Sequence, residues 1–219
     1  LGQDVPVILS MTPSVNITSD AGNGIGYTGM SVRGSDGSRI NVTINGVPLN
    51  DSESHATYWV DLPDLASSIS SIQIQRGVGT STNGAGAFGG SINVSTQKQS
   101  QVPKFKLSNS FGSYGTLKNS ISFTTGRVGN HFELNGNLSK IYSDGYIDRA
   151  SSNLKGYFLQ GSYYKERTNI KFIAFGGHER TYQAWYGLDK ETLSTNRKFN
   201  YAGMYFNDDG DQFFYDKQE

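Results

Sequence analysis

Lys104-Phe105-Lys106-Leu107-Ser108-Asn109-Ser110-Phe111 is the stretch whose reading decides the fold. Phe105, Leu107 and Phe111 fall on one side and Lys104, Lys106, Ser108 and Ser110 on the other, because successive side chains of an extended chain point to opposite faces. Asn109 is the exception on the apolar side. The alternation returns in Leu117, Ile121 and Phe123 against Lys118, Ser120 and Ser122. It returns again in Phe132, Leu134 and Leu138 against Glu133, Asn135, Asn137 and Ser139. Three such segments in succession predict a run of antiparallel strands. Residues 154–165 and 170–180 are strand-like as well, but carry apolar residues on both faces, so periodicity leaves their orientation open.

Connections between these segments differ in length. Gly112-Ser113-Tyr114-Gly115, Arg127-Val128-Gly129-Asn130 and Glu166-Arg167-Thr168-Asn169 are short, residues 143–152 form a longer link, and everything after Thr181 reads as loop. Short turns on one side and growing loops on the other fit an outer-membrane barrel, with a soluble β-sandwich as the alternative.

Composition agrees with an all-β second half. The 27 Gly, 13 Tyr and 12 Phe stand beside 5 Pro, a mixture suited to many strands joined by tight turns. Lys+Arg and Asp+Glu balance at 19 each, so no positive field exists to attract nucleic acid, and no nucleic-acid partner is expected. The absence of cysteine rules out disulfides, thiolate metal sites and cysteine nucleophiles. No stretch approaches the ~18 apolar residues of a spanning helix, so any membrane insertion uses strands, whose alternating faces dilute the hydropathy signal. The opening LGQDVPVILSMTPSV also lacks the basic segment and apolar run of a signal peptide.

Residues 1–99 have a different grammar. Short apolar runs at Ile40-Asn41-Val42-Thr43-Ile44 and Ile72-Gln73-Ile74 read as strands, separated by turn-rich stretches at residues 19–24 and 49–55. Pro63-Asp64-Leu65-Ala66-Ser67-Ser68 predicts one short helix, since proline suits a first helical turn. The expectation is a small α+β domain over residues 1–99, followed over residues 100–219 by about five strands ending in a long loop.

Several motifs, in order, resemble the TonB-dependent receptor family. Ser31-Val32-Arg33-Gly34 resembles an arginine–glycine element of the plug domain, and Val42-Thr43-Ile44-Asn45-Gly46-Val47-Pro48-Leu49 its "V-x-I-D/N-G-V-P" strand and turn. Residues 69–77, Ile-Ser-Ser-Ile-Gln-Ile-Gln-Arg-Gly, resemble "I-E-x-I-E-V-x-R-G", and residues 84–96 resemble the "Y-G-x-x-A-x-G-G-x-I-N-I-x-T" end of the plug. Two departures stand out: Ser70 and Gln73 replace the usual glutamates, and Val78 replaces the proline after Arg-Gly. Residues 179–187 and 195–200 are similar to the third extracellular loop of Bacteroidetes-type receptors.

The resemblance implies an internal fragment of a Gram-negative outer-membrane protein: the later plug, then the first strands of a multi-pass β-barrel of about 22 strands. Five strands cannot close a barrel, so further strands and an upstream TonB-contacting segment are expected elsewhere in a longer chain. It also implies active import of a scarce, bulky nutrient of the iron–siderophore, cobalamin or glycan class, with the plug gating the lumen. Partners would be TonB, the transported ligand, outer-membrane lipid and, in Bacteroidetes-type bacteria, a surface lipoprotein. A passive porin and a soluble β-rich surface adhesin are the rival readings; a porin needs no plug ahead of its strands, and an adhesin needs no continuous apolar belt.

Catalytic chemistry has no positive signal. His55, His131 and His178 lack metalloprotease spacing, no metal site and no cofactor are expected, and the chain is read as a non-enzyme. Gly84-Ala85-Gly86-Ala87-Phe88-Gly89 matches a dinucleotide pattern, but a strand follows it where a helix would be needed. Asn207-Asp208-Asp209-Gly210-Asp211 offers clustered oxygens yet departs from a calcium loop and reads as a solvated turn. For ligand capture, Glu53, His55, Tyr58 and Trp59 in one plug loop, and Tyr182, Trp185 and Tyr186 in the long loop, combine ring surface with polar tips. Against that, Trp59 can pack the plug core and Trp185 can sit in an interfacial girdle. Arg33 and Arg76 are read as structural contacts between plug and barrel.

Overall fold

The computed structural model describes residues 2–78, 86–96 and 100–215. Gly84 and Ala85 of the glycine-rich pattern, and residues 97–99 at the expected domain boundary, lie outside the described residues.

Backbone pairing organises the first part. A short helix α1 (Val5–Ile8) precedes a hairpin of β1 (Val15–Ser19) and β2 (Thr28–Val32), with Val15 opposite Val32. A four-stranded sheet follows from β3 (Ile40–Ile44), β4 (Val47–Pro48), β5 (Ile69–Arg76) and β6 (Gly90–Thr96), in the order β4-β3-β6-β5. Strands β3 and β4 join through Asn45-Gly46 at φ 51° and 85°. Two left-handed residues in a two-residue loop match the natural twist of a hairpin, which is why Asn-Gly stands there. Strand β6 lies in the middle, parallel to β3 and antiparallel to β5. It is therefore flanked by strands on both edges, and Ile92 and Val94 join Val32, Ile40, Val42, Ile44, Trp59 and Leu65 in one apolar core.

The predicted helix at residues 63–68 takes another form. Asp64 adopts a left-handed backbone (φ 58°, ψ 22°), and only Leu65–Ser68 then coils, as a 3-10 turn. Aspartate tolerates that conformation, and Ser67 donates its hydroxyl back to Asp64 Oδ1 at 2.6 Å, so the side chain supports the local bend.

The second part is an up-and-down meander of β7 (Lys104–Phe111), β8 (Leu117–Thr124), β9 (Phe132–Ser143), β10 (Ser152–Lys165) and β11 (Thr168–Thr181). Its register keeps the alternating residues on common faces: Leu107 opposes Ile121, Ile121 opposes Leu138, and Leu138 opposes Tyr157. The outward face is apolar and bare, with Phe105 71%, Phe111 78% and Phe172 67% exposed. Facing inward, Glu133, Asn135, Asn137, Ser139 and Gln160 are buried.

Orientation of the two ambiguous strands now has a physical reason. Leu154, Phe158, Ile173 and Phe175 face inward with Gln160, and Phe158, Ile173 and Phe175 pack on the core of the first part. The inward side of β10 and β11 meets protein, so apolar residues appear on both faces. Beyond Thr181 the loop expectation is incomplete: α2 (Lys190–Thr195) and a hairpin of β12 (Met204–Phe206) and β13 (Gln212–Phe214) form there. Asp189 caps α2 by accepting from the backbone of Glu191 and Thr192, both at 2.9 Å, and these N–H groups hold its carboxyl well below the usual range. Stacked rings of Tyr205 and Phe213 support the hairpin.

Candidate functional site

The first part sits against the inward face of the meander, and one segment, Pro63-Asp64-Leu65, makes the closest contacts. Pro63 rests on a slot formed by Gly156 and Gly177, which oppose each other on β10 and β11. A methyl group on Gly156 would meet the Pro63 carbonyl oxygen at 2.4 Å, and one on Gly177 the Pro63 ring at 2.6 Å. Both positions therefore require glycine for the approach of another backbone.

Asp64 supplies the ionic half of this contact. Its side chain is 1% exposed and pairs with the ammonium of Lys118 on β8, whose side chain is 12% exposed. Lys118 also donates to Ser67 Oγ at 2.9 Å, while Asn137 Nδ2 donates to the second Asp64 oxygen at 3.3 Å. A buried carboxylate is tolerable because a cation and an amide satisfy both oxygens.

A second contact joins the end of β6 to β10. Asn45 Nδ2 donates to Thr96 Oγ1 at 2.9 Å, and Thr96 Oγ1 donates onward to Gln160 Oε1 at 2.5 Å. Asn45 Oδ1 also accepts from the Thr96 backbone at 3.1 Å, so the turn that closes β3–β4 fixes the chain where it leaves for the meander. Nearby, Glu133 accepts from the Ser100 backbone at 2.9 Å. At the other end, Asn23 donates to Ser143 Oγ at 2.6 Å, and the Ala21 carbonyl accepts from Tyr146 at 2.7 Å. The junction thus combines hydrogen-bonded polar groups with the apolar contacts of Leu154, Phe158, Ile173 and Phe175.

Asp4 lies in the same junction, and among the described residues no cation pairs with it. Burial pushes its carboxyl up to about 8; the Glu179 and Asp64 carboxylates add to the rise, and the Thr28 hydroxyl, donating at 3.0 Å, opposes it.

The residues expected to contact ligand divide by exposure. Trp59 is 4% exposed and belongs to the apolar core, whereas Tyr58 is exposed beside it. Glu53 and His55 lie on a loop braced by Asn50, whose amide binds the Ile40 carbonyl and the Val42 N–H. That loop stands at the Ile40 end of the sheet, away from Thr96. Tyr182 is buried, its hydroxyl donating to the Tyr215 carbonyl at 2.5 Å, so it pins the long loop. Trp185 and Tyr186 are exposed, with ring centroids 6.3 Å apart. The β12–β13 hairpin adds exposed Tyr205, Phe206, Phe213 and Tyr215, which the sequence reading missed because it saw only loop after Thr181.

Contacts of the two arginines run within the first part. Arg76 Nη1 donates to the Pro13 carbonyl at 3.3 Å, and the Arg33 guanidinium lies over Gly77. Contact with the meander comes from other residues of the first part, among them Asn23, Pro63, Asp64 and Thr96. A lysine facing inward among serines on β8 was the available signal. At residues 207–211, Asn207 Oδ1 accepts from the backbone of Asp209 and Asp211, a turn that closes the β12–β13 hairpin. Among the described residues no group of three or more metal-ligating side chains assembles.

A family model described as the TonB-dependent Receptor Plug Domain matches residues 2–91. Among solved structures, the ferric citrate transporter FecA in the unliganded form superposes with a TM-score of 0.70 at 15% identity, covering 90% of this chain and 32% of that one. The copper transporter OprC gives 0.69 at 17%, covering 84% and 29%. The ferric yersiniabactin uptake receptor FyuA from Yersinia pestis gives 0.64 at 17%, covering 82% and 29%. No curated protein sequence matches. At these identities the likeness is one of fold, and the chain spans about a third of the length of the solved chains it matches.

Proposed function

From a chain that carries a TonB-dependent receptor plug domain over residues 2–91, followed by antiparallel strands of the receptor barrel, we propose TonB-dependent import across the outer membrane of a Gram-negative bacterium. One observation carries the membrane reading: the outward apolar belt is slanted. The row through Phe105 runs by direct pairing through Phe123, Gly136 and Leu159 to Ala174. On β7 the belt ends at Phe105, but on β11 it continues four residues further, to Ile170. The upper limit drops by the same step, from Phe111 to Gly176. Four residues are about 13 Å along a strand, and four strand spacings about 19 Å, an inclination of about 35°. That is the tilt at which barrel strands cross a bilayer.

The plug side of the reading is physical as well. A wide barrel left open would leak, and a domain lodged against its inner wall closes it; coupling to an energy source moves the domain when cargo is bound. Beside the apolar contacts of β10 and β11, the junction carries hydrogen bonds and, among the described residues, one ion pair, contacts that water can replace on separation. The plug ahead of the strands speaks against a passive porin, and the continuous belt against a soluble adhesin.

For cargo, we infer capture by exposed residues at the long-loop end: Glu53, His55 and Tyr58 on the plug, and Trp185 and Tyr186 on the loop. Trp59 and Tyr182 act by holding those loops. Arg33 and Arg76, whose contacts among the described residues lie within the plug, act as structural groups rather than ligand groups. The cargo is a bulky chelate or oligomer of the iron–siderophore, cobalamin or glycan class, and a surface lipoprotein is a further partner. The test is uptake of a labelled panel from these classes by cells producing the complete receptor. At least one member should accumulate only when TonB and the proton gradient are intact; accumulation that survives loss of TonB would overturn the proposal.

A further inference from the structure

The end of the meander opposite the long loops carries two adjoining depressions of unlike chemistry. One is an apolar groove of about 490 Å³ on the outward face. Its floor is Gly161, which opposes Leu134 on β9 and Phe172 on β11, with Phe132, Tyr163 and Ile170 one row below. Nothing lies within 4 Å of where a Gly161 side chain would begin, so the slot is open. The other is a polar cleft of about 510 Å³ between the turns at residues 125–131 and 166–167.

The cleft is cationic. Arg127, Lys165 and Arg167 line it against the single carboxylate of Glu166. His131 and Tyr164 hold the two turns together, the Tyr164 N–H donating to the His131 carbonyl at 2.8 Å and His131 Nδ1 lying 2.8 Å from the Tyr164 carbonyl. The Arg127 guanidinium stacks 5.3 Å from the Tyr164 ring centre, which fixes a charge at the cleft's wall. Groove and cleft adjoin where the ring of His131, which lines the cleft, stands 5.9 Å from the ring of Tyr163, which lines the groove.

We propose that this pair of depressions is a binding site for one anionic diacyl phospholipid, its acyl chain over Gly161 and its phosphate in the Arg127–Lys165–Arg167 cleft. Charge complementarity selects an anionic headgroup, since three permanent cations face one acid. Continuity of the cleft with the groove selects a lipid over a free anion. Position selects a phospholipid of the periplasmic leaflet, because long loops mark the outer side. The site rests on the reading of the outward face as membrane-embedded, and it ties the two turns that join β8 to β9 and β10 to β11.

The test is native mass spectrometry of the complete, delipidated receptor in detergent, titrated with phosphatidylglycerol, phosphatidylethanolamine or inorganic phosphate. Wild type should retain one phosphatidylglycerol, in preference to phosphatidylethanolamine, and phosphate should not displace it. Arg127→Gln, Lys165→Gln and Arg167→Gln should each weaken retention about fivefold. Gly161→Leu should weaken it about tenfold for both lipids, by excluding roughly two methylene groups from the groove. Heat-modifiable gel mobility checks that each variant keeps its barrel. Equal retention of the two lipids, displacement by phosphate alone, or no effect of Gly161→Leu in a folded barrel would overturn the site. A receptor that stays monodisperse without detergent would instead overturn the membrane reading beneath it.

Discussion

The plug's core is apolar, whereas its contact with the barrel wall mixes apolar and polar groups. Inside, Val32, Ile40, Val42, Ile92 and Val94 are all at most 2% exposed and interlock around a central strand. At the wall, Phe158, Ile173 and Phe175 pack on the plug, but beside them Lys118, Asn137, Ser143 and Gln160 join it by hydrogen bonds and, among the described residues, one ion pair. Apolar burial is lost wholesale when surfaces part, whereas polar groups exchange their partners for water at small net cost. The difference teaches that the plug is made to hold its own fold more firmly than its seat.

The largest expected effect lies at the seat's one ionic contact. Asp64→Ala leaves the largely buried Lys118 ammonium with the Ser67 hydroxyl but no counter-charge, and should weaken plug docking by about 3–5 kcal/mol. Hydrogen exchange should report it as lost protection at residues 62–68 with β6 still protected. Adding Lys118→Met should recover most of the loss, and no recovery would mean that the ion pair is not what seats the segment.

Inside the plug, Ile92→Ala should cost about 3 kcal/mol through the cavity it leaves. Here protection should fall across β3, β5 and β6 together. Equal losses at β6 from this variant and from Asp64→Ala would break the contrast between core and seat.

A smaller effect is expected of Gly156→Ala. Its methyl group would collide with the Pro63 carbonyl, and overpacking of this kind costs about 1–3 kcal/mol. The same substitution at Gly161, whose side-chain direction is open, should leave docking unchanged by exchange measurements.

Asp4 gives the contrast a pH dependence. Its folded pKa of about 8 lies above the ordinary carboxyl value, so the folded plug keeps a proton that the unfolded chain has released. Its contribution to stability is full below about pH 4 and declines as pH rises towards 8. Plug protection should therefore fall between pH 5 and 8 (about three units inside that window), and Asp4→Asn should flatten the profile. An unchanged profile in the variant would place the titration elsewhere.

How much of this was legible in the sequence follows from what each face meets. Strands β7, β8 and β9 show their alternation because their outward side is apolar and bare and their inward side is lined by polar groups. On β10 and β11 the inward residues Leu154, Phe158 and Phe175 meet the plug, a neighbour distant in sequence, and the pattern blurs for that reason. Asn45-Gly46 announces its turn through local chemistry alone. Asp64 does not, because its left-handed backbone and its pairing with Lys118 depend on a wall 54 residues away. Exposure decided the ligand candidates: aromatic type alone could not separate Trp59 in the core from Trp185 on the loop.

Under the proposed function, the plug must leave its seat on the wall for cargo to pass. Thr96→Cys with Gln160→Cys places two thiols where a 2.5 Å hydrogen bond now joins β6 to β10. The decisive measurement is uptake and cell-surface binding of the cargo by this double variant, oxidised and then reduced. The account predicts that the oxidised receptor binds cargo normally but imports none, with import restored by reductant. Full import through a receptor shown by mass to be cross-linked would contradict it.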